Sequence, residues 1–262
     1  MSDDRGPGAR RPGEEITAGH PSARLRAAPD PSDEPAPLLA AEYPSGAEVP
    51  EGVVSYGPDI EDETSLRLLG NVERKRVLEL GGGAGHNAAA LAGQGAHVIV
   101  VDPSHRRLER VRARCDRTEV RAELHQSDLA ELAFLRADTI DVALSVFALA
   151  SVADLDRVFR QVHRVLRADA PLVFSLPHPA FALTLGGTYF DDLPTAWQTD
   201  DARGQAMPRT ISGIFSGLAR ANFRVDALLE PEPPAAPRSR FWVDAMSRAP
   251  ATLIVRARKE GL

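Results

Sequence analysis

The chain has 262 residues, an apolar fraction of 43% and a formal net charge of −6. That is enough apolar material for a core, and the acidic balance offers no electrostatic footprint for nucleic acid or an anionic membrane. The single cysteine, Cys115, excludes an intrachain disulfide framework and a cysteine-rich zinc site.

No apolar run reaches the roughly 18 residues of a membrane span, and no apolar stretch marks a secretory signal near the N-terminus. A cytoplasmic setting is expected. Residues 1–45 read as a disordered tail. Nine prolines fall in the first fifty positions, and few aliphatic side chains are present to offset the entropy of ordering. A partner-binding arm is the other reading of that composition.

Residues 46–262 read as one domain. Glu61–Leu69 predicts a short helix, Arg76–Leu80 a strand and Gly85–Gln94 a helix ended by Gly95. Ala96–Asp102 is a continuous apolar run, as expected of a strand buried on both faces. Ser104 can cap a helix running to about Cys115. Val120–Asp128 and Ile140–Leu149 are the third and fourth strands. Ser151 to Asp154 fits the S-x-x-D capping pattern. The helix behind it aligns Leu155, Val158, Phe159, Val162 and Leu166 on one face. Ala170–Leu176 is the fifth strand. A helix over Thr210–Ala221 then precedes strands Phe223–Leu229 and Ala251–Arg258. No helical pattern separates these last two strands, so they are expected to pair antiparallel. The whole predicts an α/β fold, with a mostly parallel sheet covered on both faces.

The densest signal is VLELGGGAGHNAAALA, Val77–Ala92. Strand, glycine turn and helix hold a ligand against bare backbone, with the unpaired N–H groups of a helix N-terminus close by. Asp102 ends the second strand, 21 residues beyond Gly81, the usual distance to a carboxylate that accepts from ribose hydroxyls. Asp128 ends the third strand and can accept from the exocyclic amine of a purine. Glu79, two residues before Gly81, can hold the turn or reach a ligand ammonium through water. Each has a plainer reading: Asp102 as a turn former, Asp128 as a helix cap, Glu79 as a buried carboxylate bonded to local backbone. Taken together, in order on consecutive strands, they point to a nucleoside site. His86 stands where a dinucleotide fingerprint needs glycine or alanine, so the spacing is G-x-G-x-G.

These residues resemble a class I S-adenosylmethionine-dependent methyltransferase of the broad type 11 small-molecule group. VLELGGGAG is similar to the family's first motif, VIVVDPS to its ribose-binding strand end and HQSDL to its adenine-contacting strand end. IDVALSVFAL, followed by D-x-x-x-V-F-x-x-x-x-R-V-L-R, is similar to its fourth strand and helix. The resemblance implies a doubly wound seven-stranded sheet of order 3-2-1-4-5-7-6 with the last strand antiparallel, and S-adenosyl-L-methionine as cofactor. It further implies that Gly81, Gly83 and Gly85 face the methionine part and that Asp102, with Pro103 and Ser104, faces the ribose. Asp128 and Leu129 would meet the adenine, and Ser145, Val146 and Phe147 the sulfonium side. His86 is expected near the cofactor carboxylate, and Tyr56 closing over the cofactor. The chain departs from the family at Ala168-Asp169-Ala170-Pro171, where a Pro-Gly-Gly type turn is usual. At Ala148-Leu149-Ala150 it lacks the histidine pair that many members carry. The N/D/S-P-P-Y/F signature is also missing, which argues against nucleic acid bases as acceptors.

The implied function is methyl transfer to a small-molecule acceptor. His178, between two prolines after the fifth strand, is the candidate general base or carboxylate holder. The plainer reading is a loop histidine kept for turn shape. His97, His105, His125 and His163 lack the spacing of a metal site, and no metal is expected. Residues 180–208, with Phe181, Tyr189, Phe190, Asp191, Asp192 and Trp197, read either as a lid over the acceptor or as a small satellite core. Two other functions stay open: a non-catalytic cofactor-binding or partner-binding protein on this fold, and a nicotinamide- or flavin-dependent oxidoreductase.

Overall fold

The computed structural model describes residues 51–184, 188–190, 195–198, 203–233, 242 and 244–261. The N-terminal tail lies outside them, as do Asp191, Asp192 and the side chain of Trp197.

In chain order the elements are α1 (Glu63–Leu66), β1 (Arg76–Leu80), α2 (His86–Gly93), β2 (His97–Asp102), α3 (His105–Arg117), β3 (Ala122–Gln126), β4 (Val142–Val146) and α4 (Leu155–Val165). They continue with β5 (Pro171–Pro177), α5 (Phe181–Thr184), β6 (Thr195–Gln198), β7 (Arg203–Ala206), α6 (Ile211–Arg220), β8 (Phe223–Leu229) and β9 (Thr252–Lys259). Short 3₁₀ turns lie at Ala148–Ser151 and Asp244–Ser247.

Among the described residues seven strands form one sheet, in the order β3-β2-β1-β4-β5-β9-β8, while β6 and β7 form a separate hairpin. Counted within the main sheet, the order is the expected 3-2-1-4-5-7-6. β1 to β5 are parallel neighbours, and β9 runs antiparallel to both β5 and β8.

The central strands are mostly apolar because both faces are covered. One face carries α4 and α6 over Leu78, Leu80, Ile99, Phe174 and Val255. The other carries α2 and α3 over Val77, Val98, Val100, Leu144 and Ile254. α3 buries only Leu108, Val111 and Cys115, one narrow stripe of an otherwise charged helix.

Several elements are shorter than the sequence predicts, for local reasons. α1 stops at Leu66 because the Glu63 carboxylate turns back to accept the N–H groups of Leu68, Leu69 and Gly70. β4 ends at Val146 because Phe147 has a left-handed backbone, φ 58°, that leads into the 3₁₀ turn. β3, an edge strand, ends at Gln126, so Asp128 lies two residues beyond it. The Ser151–Asp154 pattern is not a capping box. Ser151 closes the 3₁₀ turn through Ala148 O, and Asp154 alone caps α4, accepting from Arg157 N at 2.9 Å. Leu166 lies just past α4, and Val165 supplies the last buried contact of the helix.

A bulge between Val225 and Ala227 sets Asp226 against the neighbouring strand. Its carboxylate takes the Nε–H groups of Arg256 and Arg258, each at 2.7 Å. Partial burial raises the Asp226 pKa, but the hydrogen bonds from the two arginines outweigh it and hold the carboxyl below its usual value.

Candidate functional site

The site forms where β1 leaves the sheet, beside the point at which the strand order reverses between β1 and β4. Gly81, Gly83 and Gly85 have φ of 87°, 49° and 76°. Their surroundings differ. A Cβ on Gly81 would overlap the Ala148 side chain, and one on Gly85 would come within 2.6 Å of Val111 Cα in α3. A Cβ on Gly83 would meet nothing within 4 Å. Gly81 and Gly85 therefore let neighbouring backbone approach, while Gly83 presents bare backbone to open space.

That space is a cavity lined by Gly81, Gly82, Gly83, Glu79, Val146 and Ser55. Glu79 is buried, and its Oε2 has no partner. Burial, and after it the Asp102 carboxylate, pushes Glu79 up to about 8. A carboxyl in this state is stabilised by the arrival of a cation.

Asp102 closes β2 with its side chain buried. It accepts from Gly82 N (2.9 Å), Ser104 N (2.8 Å) and Arg107 Nε (2.9 and 3.0 Å to its two oxygens). Ser104 is the N-cap of α3, its hydroxyl accepting from Arg107 N. Pro103 O accepts from the Gln126 side chain at 3.3 Å. Asp128 turns its carboxylate onto Ala130 N at 2.8 Å, and Leu129 is buried in the α4-side core.

The segment before α1 forms a strap beside the glycine turn, held by side chains of α2 and its C-cap Gln94. Asn87 both accepts from Ser55 N (2.9 Å) and donates to Ser55 O (3.0 Å). His86 Nε2 lies 3.1 Å from Val53 O, and Gln94 Nε2 donates to Gly52 O at 2.9 Å. Sequence reasoning passed over Asn87 and Ser55. The available signal was an asparagine in the first turn of a helix that is otherwise almost all alanine.

Tyr56, expected to close over the ligand, is instead buried, and its hydroxyl donates to Glu63 at 2.5 Å. Burial and that carboxylate push its phenol pKa up. Ser55, its neighbour, lines the cavity in its place. Of Ser145, Val146 and Phe147, expected at the cofactor, only Val146 lines the cavity. Ser145 is buried and donates to Leu80 O at 2.8 Å, tying β4 to β1. Phe147 is buried against Gly57, where an added Cβ would come within 3.0 Å of its ring.

His178 is buried just after β5. Its Nδ1 accepts from Ala180 N at 3.1 Å, so its Nε2 carries the proton and donates to Glu230 Oε1 at 2.8 Å. Both ring nitrogens are thus engaged, and the ring clasps the loop after β5 to the end of β8. Of the 180–208 segment, Phe181 is buried, Phe190 is 83% exposed and Tyr189 accepts from Ile211 N at 3.0 Å. The β6–β7 hairpin is anchored by Met207 N to Ala150 O at 2.8 Å.

The sheet order, with the glycine turn at the end of its first strand, is that of the class I S-adenosylmethionine-dependent methyltransferase fold. Residues 77–169 match the family model for a methyltransferase domain. The chain is 26% identical over 227 residues to an uncharacterized protein of Haemophilus influenzae, covering 79% of this chain and 89% of that one. It is 33% identical over 116 residues to the demethylmenaquinone methyltransferase of Clavibacter sepedonicus, covering 43% of this chain and 46% of the relative, less than half its length.

Among solved structures, an S-adenosylmethionine-dependent methyltransferase from Mesorhizobium loti superposes with a TM-score of 0.58 at 24% identity, covering 74% of this chain and 94% of that one. The [4+2]-cyclase SpnF superposes with a TM-score of 0.52 at 15% identity, over 71% of this chain and 75% of its own. Both are likenesses of fold.

S-adenosyl-L-methionine is the cofactor of the family. The residues present fit it: a cradle of bare backbone at Gly83, a buried carboxyl with an unpartnered oxygen for a cationic group, and a second carboxylate at the next strand end. No helix among the described residues is long and apolar enough to cross a membrane.

Proposed function

We propose that the chain is an active methyltransferase, holding S-adenosyl-L-methionine in the glycine-turn cavity and methylating a small-molecule acceptor. The observation that carries this reading is the open backbone of Gly83 beside the unpartnered oxygen of Glu79. When bound, the cofactor supplies a methyl group already made electrophilic by its sulfonium, so the protein's task is to position, orient and desolvate.

In this reading Gly81, Gly83 and Gly85 shape the methionine end, and Glu79 takes the ammonium. His86 and Ser55 close that end under the strap. Asp102, at the Pro103-Ser104 turn, takes the ribose diol. Asp128 and Leu129 border the adenine, and Val146 faces the reacting end with Ser145 and Phe147 fixing its strand. His178 is a positioning residue here. Its only lone pair is engaged by Ala180 N, so the acceptor loses its proton, if it has one to lose, to a group other than this ring. The net charge of −6 favours a small molecule over a nucleic acid.

A second reading, chemistry other than methyl transfer on the same cradle, is favoured by the cyclase that shares the fold. Calorimetric titration with S-adenosylhomocysteine tests the cradle. Formation of S-adenosylhomocysteine from the cofactor across phenol, thiol, amine and quinol acceptors tests the transfer. Binding without turnover on every acceptor would favour the second reading. Absence of binding by folded protein would end both.

A further inference from the structure

Three N–H donors already occupy both oxygens of Asp102, leaving no pair of free acceptor positions. A carboxylate offers about four lone-pair sites. Here Oδ1 takes Ser104 N–H and Arg107 Nε–H, while Oδ2 takes Gly82 N–H and shares the same Nε–H at 3.0 Å. The carboxylate is also sealed, with a side chain only 1% exposed. A ribose diol requires two acceptor positions and a path to them.

The donors differ in how readily they can leave. Gly82 N–H belongs to the glycine turn, whose neighbour Gly81 is pinned by its own N–H to Val101 O. Ser104 N–H belongs to the cap of α3. Both are backbone groups fixed by the fold. Arg107 is a long side chain on the first turn of α3, 24% exposed, and rotation about its own bonds can withdraw it. It covers Asp102 from the solvent side and supplies the charge that compensates the buried carboxylate.

We propose that Arg107 is a latch that competes with the cofactor for Asp102. In the empty protein the guanidinium stands in for the ribose diol. The cofactor binds only as Arg107 swings away, and the cost of breaking this ion pair is subtracted from the cofactor's affinity. The inference rests on the reading of Asp102 as the ribose acceptor and adds a regulatory element to it. Anything that draws the guanidinium outward, such as an anion or an acidic surface, would raise cofactor affinity.

The test compares wild type, Arg107→Leu and Arg107→Lys in the full chain by calorimetry with S-adenosylhomocysteine, with melting temperatures measured without ligand. Arg107→Leu should bind about tenfold more tightly, the scale of a lost charge-assisted hydrogen bond, while its ligand-free melting temperature falls by several degrees. Arg107→Lys, which keeps the charge without the planar fork, should lie between. The opposite signs separate a latch from a structural residue, whose loss lowers both stability and affinity. Equal or weaker binding by Arg107→Leu, or binding by Arg107→Lys that is no tighter than wild type, would overturn the latch. Absence of any wild-type binding would instead strike the reading of the site.

Discussion

At the residue scale, Glu79 and Asp102 are both buried carboxylates, 23 positions apart in sequence, with opposite hydrogen-bonding states. Asp102 accepts from three N–H donors, while Glu79 Oε2 is unpartnered and its carboxyl is lifted to about 8. Between its ordinary value of 4.5 and about 8, Glu79 holds a proton in the folded chain that the unfolded chain has released. Stability therefore falls across that window as pH rises, by a few kcal/mol from this group. Glu79→Gln should flatten that fall, as read by urea unfolding at pH 5 and pH 8. In the proposed site an incoming ammonium favours the charged carboxyl, so wild type should release a proton on binding at pH 7. Calorimetry in buffers of different ionisation enthalpy measures that release, and Glu79→Gln should lose it. Asp102→Ala should weaken S-adenosylhomocysteine binding by roughly 1.5–3 kcal/mol, about 10- to 100-fold. Unchanged affinity would leave Asp102 as a turn residue only.

At the element scale, the three glycines that read alike in sequence separate by what surrounds them. Gly83→Ala should cost about 1–2 kcal/mol of stability for its left-handed backbone and should depress ligand binding. Gly85→Ala should cost about 3 kcal/mol or more, because its Cβ would be driven into the backbone of α3. Thermal unfolding set beside ligand titration distinguishes the two. The strap is the second element-scale device. Asn87→Ala removes both bonds to the Ser55 backbone and should cost about 1–3 kcal/mol. Amide exchange at Ser55 should quicken by the same token, and stay slow if the strap is held mainly by Tyr56.

Legibility also changes at this scale. The Glu79-Gly81-Asp102 spacing is local to two strand ends, so it reads directly from sequence. The clasp of His178 to Glu230 spans 52 positions, and Asn87 reaches back 32 to Ser55. Neither pairing has a local signature. Tyr56 and Ser55 point to opposite sides of one strap, so a shift of a single position exchanged the buried ring for the lining hydroxyl.

At the scale of the whole molecule, the final hairpin is locked to the sheet by Asp226, lodged at a bulge between Arg256 and Arg258. Its folded pKa is depressed, so its contribution is present above the unfolded value of about 3.8 and is lost as pH falls through the lower folded value. Asp226→Asn should lower stability at pH 7 by about 1–2 kcal/mol, and the difference from wild type should shrink below about pH 4. Removal of residues 1–45, which hold few aliphatic side chains to bury, should leave melting temperature and ligand affinity unchanged.

The sequence by itself determined the α/β class, the strand succession, the glycine turn and the acidic residue at the end of β2. These follow from apolar periodicity, glycine spacing and side-chain chemistry along a short stretch of chain. Only the tertiary structure decided which glycine faces open space, which neighbour of Tyr56 lines the cavity, and that the lone pair of His178 is already engaged. It also brought Arg107 onto Asp102. Those outcomes depend on how helices and loops distant in sequence pack over the same strand ends, and on which donors reach a buried carboxylate or imidazole first.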